Sequence, residues 1–129
     1  MKSNFPFRTI DANLNRFKEG LRVVEDILRY ELNSPLAKEL KNLRHIKISD
    51  YEEIIKHRNA QNDILKKSIP SEQQRNSLKE ILISNLKRAQ ESARVLEEIY
   101  KLTDIKTSEK FKNARYKLYS LEKEILSLV

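Results

Sequence analysis

The chain has no cysteine and no tryptophan, a single glycine, Gly20, and only three prolines among its 129 residues. The missing thiols exclude disulfides, thiolate metal centres and cysteine nucleophiles together, and they fit a reducing compartment. So little glycine and proline leaves few sites for tight turns. The sequence is filled instead with Leu, Ile, Glu, Lys and Arg, which favour helix. No window approaches the roughly 20 apolar residues that cross a bilayer, and the N-terminus lacks the apolar core of a secretion signal. A cytoplasmic protein with no membrane association is expected. Also missing are a Walker A loop, a G-x-G-x-x-G turn and any His/Cys spacing suited to zinc, which excludes the commonest nucleotide-binding and zinc-binding designs.

Charge is abundant but mixed. The 26 Lys and Arg residues exceed the 19 Asp and Glu residues, giving a net charge of +7. Nucleic-acid binding needs such cations gathered on one face, with aromatic platforms for single strands. Here they are interleaved with acids at helical spacings, the pattern of solvated faces carrying (i, i+4) pairs, so no nucleic-acid partner is expected.

The length predicts one domain over residues 1–129, all-α in class. Leu14, Phe17, Leu21, Val24 and Leu28 recur at alternating steps of three and four, which predicts a helix over 11–32. The Asn33-Ser34-Pro35 break leads to a second helix over 36–46. A brief helix capped by Ser49 and Glu52 is expected to end near His57. Residues 58–70 have no period and read as a loop, placed to cover a ligand. Ser71 with Gln74 suggests the start of a long helix to about residue 102, and a final helix covers about 108–128.

The chain also repeats itself. Asn13-Leu14, Arg16, Glu19, Arg22-Val23 and Glu25-Asp26 recur as Asn85-Leu86, Arg88, Glu91, Arg94-Val95 and Glu97-Glu98, 72 residues later. Lys41-Asn42-x-Arg44-His45 recurs as Lys112-Asn113-x-Arg115-Tyr116 at a spacing of 71. The repeat, about 11–46 and 83–119, predicts a bundle of two helical hairpins about a pseudo-twofold axis. At about 100° per residue, Asn13 falls inside the apolar stripe of its helix and Arg16 at its edge. Asn85 and Arg88 repeat this, while Ala89 and Ala93 replace Phe17 and Leu21 and are expected to leave space. A buried amide costs several kcal/mol unless it finds partners. An Asn13–Asn85 bond fixing hairpin register would supply one. An anionic ligand explains the amides and the arginines together, because guanidinium forks match phosphate. Glu19, Arg22, Glu91 and Arg94 read either as an ion-pair ladder or as further binding residues. Arg44 and Arg115 read as solvated cations or as closing the anion pocket. His45 reads as a packing or hydrogen-bonding residue, with general-base work as the alternative.

Asp11-Ala-Asn-Leu-Asn-Arg16 with Glu19-Gly-Leu-Arg-Val-Val-Glu-Asp26 resembles the opening of a domain fused to the N-terminus of certain thiamine phosphate synthases, which also occurs alone. Leu43-Arg-His45, Arg58 with Asp63, Asn85-x-x-Arg88-x-Gln-Glu91-x-x-Arg94 and Arg115-Tyr116-x-x-Tyr119 are similar to that family's remaining motifs, in order. One departure is Arg58-Asn59, where the family carries Arg-Asp. The resemblance implies a hydroxymethylpyrimidine phosphate kinase, here expected as a stand-alone domain, which converts the monophosphate to the diphosphate with ATP and Mg2+. On that basis Arg16, Arg88 and Arg58 are assigned to phosphate clamping and catalysis. Asn13, Asn85, Glu19, Arg22, Glu91, Arg94, Arg44 and Arg115 are assigned to substrate or nucleotide binding, and Asp11 and Asp63 to metal. The expected partners are the pyrimidine phosphate and ATP, and a homodimer is compatible with the pattern. The alternative is a non-catalytic dimerisation or phosphate-binding domain associated with thiamine phosphate synthase.

Overall fold

The first apolar stripe does form one long helix, α1, spanning Phe7–Asp26. It starts four residues before the expected position because Pro6 sets its entry and Ile10, fully buried, extends the stripe by one turn. This computed structural model describes residues 5–129, and every regular element within them is helical. Residues 1–4 of the expected domain lie outside the described residues. After Asp26 the helix widens into a π turn, Ile27–Glu31, in which Leu32 N–H donates to Ile27 O at 3.0 Å. Asn33 then takes a left-handed conformation with φ of 48°, and Ser34 N–H closes back on Leu28 O at 2.8 Å. Asn tolerates this backbone because its short amide can bond locally.

Helix α2 spans Ala37–Arg44, and a short α3 covers Tyr51–Ile55. The expected Ser49/Glu52 cap is not formed. Asp50 occupies the N-cap position at φ 62° with no side-chain capping bond. Residues 55–80 are all exposed, with only the 3-10 turns Ala60–Asn62 and Pro70–Gln73 before the next long helix. The loop expected over 58–70 is therefore present and longer.

Helix α4 spans Leu78–Tyr100, seven residues after the start that Ser71 and Gln74 suggested. Gln74 is extended at φ −112° and ψ 129°, which ends the 3-10 turn. The working cap is Ser77, whose Oγ accepts from Glu80 N–H at 3.2 Å, while Glu80 accepts from Asn76 N–H. Helix α5 spans Ile105–Leu126 and starts three residues early, because Asp104 Oδ1 accepts from Thr107 N–H at 3.1 Å. The two expected hairpins are thus unequal. Their second arms have 8 residues in α2 and 22 in α5.

Helix α1 packs on α4, α2 and α3, and α4 packs on α5. Phe17 and Phe111 meet edge to face at 5.5 Å, both fully buried. Burying each such ring contributes on the order of 2–3 kcal/mol. Ala89 and Ala93 are fully buried, and α1 lies close against the first of them: a Cβ placed on Gly20 would lie 2.9 Å from Asn85 O and 3.7 Å from the Ala89 Cβ. Buried Tyr100 is stacked on Phe111, and its hydroxyl has no hydrogen-bond partner among the described residues. Burial, with Asp104 and Asp50 adding to it, pushes that phenol up to about 12.

The contact at Gly20 is against backbone, which cannot swing aside. Gly20→Val is therefore expected to lower stability in urea denaturation by about 2 kcal/mol, the usual cost of overpacking a tight contact. An unchanged midpoint would mean that α1 and α4 separate freely.

Candidate functional site

Where α1 crosses α4, the polar edge of each stripe meets the other. Asn13 and Arg16 from α1 and Arg88, Glu91, Ser92 and Val95 from α4 line a cavity of about 260 Å³. Four of the expected site residues are thus brought together from positions far apart in sequence. Asn13 is buried, and its Nδ2 donates to Thr9 O at 2.9 Å. Asn85 Nδ2 makes the same bond to Ile81 O at 2.9 Å. Neither amide donates to the other, so register is not fixed by an Asn–Asn bond. Each spends one of its two N–H donors within its own helix and keeps its oxygen free of protein donors among the described residues. Asn85 does not line the cavity; its main-chain carbonyl is the group that faces Gly20.

Arg16 and Arg88 are exposed and form no ion pair among the described residues, whereas Arg22, Arg44, Arg58, Arg94 and Arg115 all do. Two free guanidinium groups and one carboxylate, Glu91, give the cavity a net positive lining. Such a lining suits an anion with several acceptor oxygens. Ser92 and Val95 complete the wall and carried no assignment in the sequence. Ser92 was recognisable there only as the counterpart of Gly20.

The remaining repeated charges lie away from the cavity, some in buried ion pairs and some on the helix surface. Arg44 Nε donates to Glu25 Oε1 at 2.8 Å, and Arg115 reaches Glu97 Oε1 at 3.1 and 2.9 Å through Nε and Nη2. Both carboxylates are buried, so these pairs fasten α2 to α1 and α5 to α4. The signal was available: Glu25 and Glu97 repeat at the edge of their stripes and Arg44 and Arg115 repeat beyond them. Arg22 pairs with Asp26 at 3.1 Å and Arg94 with Glu97 and Glu98 at 3.1 and 3.0 Å, so both join helix-surface networks. Glu19 is exposed and does not line the cavity.

Arg58 and Asp11 engage each other. The guanidinium donates twice to the carboxylate, at 2.8 Å through both Nε and Nη2, and ties the start of the exposed loop to α1. The Asp11 hydrogen bonds, then Tyr51, raise the Arg58 pKa above its ordinary value. Asp63 lies in the exposed loop, where its Oδ1 accepts from Leu65 N–H at 2.9 Å. Among the described residues no group of three or more His, Asp or Glu side chains is gathered for a metal. A protein-held magnesium at Asp11 and Asp63 fits this arrangement poorly, since both oxygens of Asp11 are taken. The carboxylate that does face the cavity is Glu91.

The chain belongs to the ThiD2 family, whose sequence profile matches residues 8–124. It is 42% identical over 123 residues to the thiamine-phosphate synthase of Nostoc sp., covering 93% of this chain and 35% of the relative. To the thiamine-phosphate synthase of Prochlorococcus marinus subsp. pastoris it is 43% identical over 121 residues, covering 92% and 34%. To that of Thermosynechococcus vestitus it is 40% identical over 122 residues, covering 92% and 34%. The chain spans about a third of the length of these curated relatives. No solved structure matches it. Among the described residues no helix is long and apolar enough to cross a membrane.

The Glu25–Arg44 pair gives a pH prediction. Burial pushes the Glu25 carboxyl up, but hydrogen bonding and charge from Arg44, with Arg22 and Lys41, outweigh it and hold the pKa below the ordinary 4.5. A depressed folded-state pKa contributes stability that is fully present above the unfolded value and lost as pH falls through the folded one. The melting temperature is expected to drop between about pH 5 and pH 3. Glu25→Gln is expected to melt lower at neutral pH and to show a shallower acid decline, both read by circular dichroism. An identical acid slope in the variant would remove Glu25 as a contributor.

Proposed function

We propose that the protein is a phosphotransferase of thiamine biosynthesis that converts hydroxymethylpyrimidine monophosphate to the diphosphate with ATP, using the α1–α4 cavity. The observation that carries this reading is the pair of unpartnered arginines, Arg16 and Arg88, facing one small cavity beside Asn13. An acceptor phosphate oxygen attacks the γ-phosphorus of ATP. The bond from that phosphorus to the oxygen bridging it to ADP breaks, and ADP leaves with the bond's electron pair. Magnesium accompanies ATP as part of the substrate.

Two polyanions repel each other, so the main work of such a site is to position them and to neutralise the moving phosphoryl group. Arg16 from one helix and Arg88 from the other supply fixed positive charge from two sides. Asn13 Oδ1 offers an acceptor to a ring amine or hydroxyl. Glu91 is the one carboxylate within reach of a metal–nucleotide complex in this lining. Arg44, Arg58 and Arg115 act through their ion pairs, holding the helices and the loop start, and are removed from phosphate clamping on this reading. Little proton transfer is required, which agrees with a cavity that contains no histidine.

A second reading, an accessory binding domain of thiamine-phosphate synthase without turnover, draws on the fact that the chain covers about 35% of its relative's length. The same assay separates the two. Purified protein with the pyrimidine monophosphate, ATP and magnesium is expected to release ADP and form the diphosphate, followed by phosphorus NMR. Binding of the monophosphate without ADP release would favour the accessory domain.

Within the kinase reading, Arg16→Gln and Arg88→Gln are each expected to reduce turnover at least about tenfold, equivalent to about 1.4 kcal/mol of transition-state stabilisation. The two changes are expected to affect the apparent affinities for ATP and for the pyrimidine phosphate differently, because the half-sites are unequal. Folded variants with unchanged kinetics would take both arginines out of the site.

A further inference from the structure

A second cleft, of about 550 Å³, opens along the opposite side of α1. Lys18 lies two residues beyond Arg16, about 200° around the helix, so the two clefts do not share a face. This one is lined by Asn15 and Lys18 from α1, by His45 and Lys47 in the chain that unwinds after α2, and by Tyr51 at the start of α3. Its walls between these polar groups are apolar, formed by Leu14, Ile46 and Ile48, and its lining includes no acid. Lys18 and Lys47 form no ion pair among the described residues, and Arg44 is already held by Glu25.

The repeat shows what this cleft lacks. Seventy-two residues on, Asn15 and Lys18 become Lys87 and Gln90. There Glu122 of α5 meets both side chains, at 3.1 Å from Lys87 Nζ and 2.9 Å from Gln90 Nε2. The longer α5 thus carries its own anion into that groove. In the first half α2 ends at Arg44, and the residue 71 positions before Glu122 is Tyr51, which carries a phenol in place of a carboxylate.

We propose that this cleft binds a phosphorylated small molecule whose phosphate stands where the second half places the Glu122 carboxylate. Two unpaired lysines favour a phosphate monoester, with a charge of about −1.5 to −2, over a single carboxylate. The volume lies within the roughly 300–1,000 Å³ of small-molecule sites, and the apolar walls with Tyr51 suit a planar ring attached to that phosphate. The site is separate from the α1–α4 cavity, and the inference stands whether or not that cavity performs phosphoryl transfer.

The test is amide NMR titration of the full chain with AMP, inorganic phosphate and acetate as probes. AMP is expected to give saturable shifts at residue 18 and at residues 46–51, with phosphate weaker and acetate weakest, AMP and acetate differing by at least about tenfold. Tyr51→Glu, which restores a built-in carboxylate, and the Lys18→Gln/Lys47→Gln double variant are each expected to weaken AMP binding at those residues at least about tenfold. Their wild-type-like spectra without probe would show that they fold. Arg16→Gln is expected to leave these shifts in place. Absence of saturable shifts at residues 46–51, equal AMP affinity in folded Tyr51→Glu and double variants, or loss of the shifts in Arg16→Gln would overturn the proposal.

Discussion

The close approach of Gly20 to the main-chain carbonyl of Asn85 is the constraint on which the rest of the molecule depends. With 2.9 Å between that oxygen and the place a Cβ would occupy, only glycine lets α1 lie this near α4. The approach seats Gly20 on Ala89, and it brings the polar margins of both helices to one place. Asn13 and Arg16 consequently face Arg88, Glu91 and Ser92 across a cavity of a few water diameters rather than across open solvent. The chain's one glycine is thus a packing residue, in a helix interior where glycine would otherwise cost about 1 kcal/mol relative to alanine.

The fold also sorts its arginines by partner. Glu25 and Glu97 are buried and hold Arg44 and Arg115, and Asp11 is buried and holds Arg58. Buried pairs of this kind gain little net stability over apolar packing, but removing one partner is costly because a charge is left behind. They therefore locate α2, α5 and the loop against the two long helices. Arg16 and Arg88 in one cleft, and Lys18 and Lys47 in the other, are left outside these ion pairs.

Much of this was readable in the residues. Leu14, Phe17, Leu21, Val24 and Leu28 announced α1, and all five are core residues. Asn13 inside the stripe and Arg16 at its edge pointed to the cavity, because helical angle is a local property that sequence carries directly. The choice of partner was less accessible. Whether Arg44 meets solvent, ligand or Glu25 depends on how α2 lies against α1, and whether Asp11 is free depends on where the loop returns Arg58. Helix starts failed for a related reason. Ser71 and Gln74 match a capping pattern as well as Ser77 and Glu80 do, and only the extended backbone at Gln74 decides between them. The repeat was plain in the side chains, and the expected helices over 36–46 and 108–128 already differed in length, as the arms of 8 and 22 residues do.

The π turn at Ile27–Glu31 bears on the spacing of the two copies. Matching residues of the two copies are 72 apart through Asp26 and Glu98 but 71 apart from Lys41 and Lys112 onward, so the first copy contains one residue more between those points. The π turn lies in that interval, and its Leu32-to-Ile27 bond spans five residues where an α-helical bond spans four. A wider turn takes up a surplus residue without rotating Asn13, Arg16 or anything before it, so the groups lining the cavity are insulated from the change in length. The bulge thus lies where the two sequence copies part in length, while the residues ahead of it keep a constant offset of 72 from their counterparts.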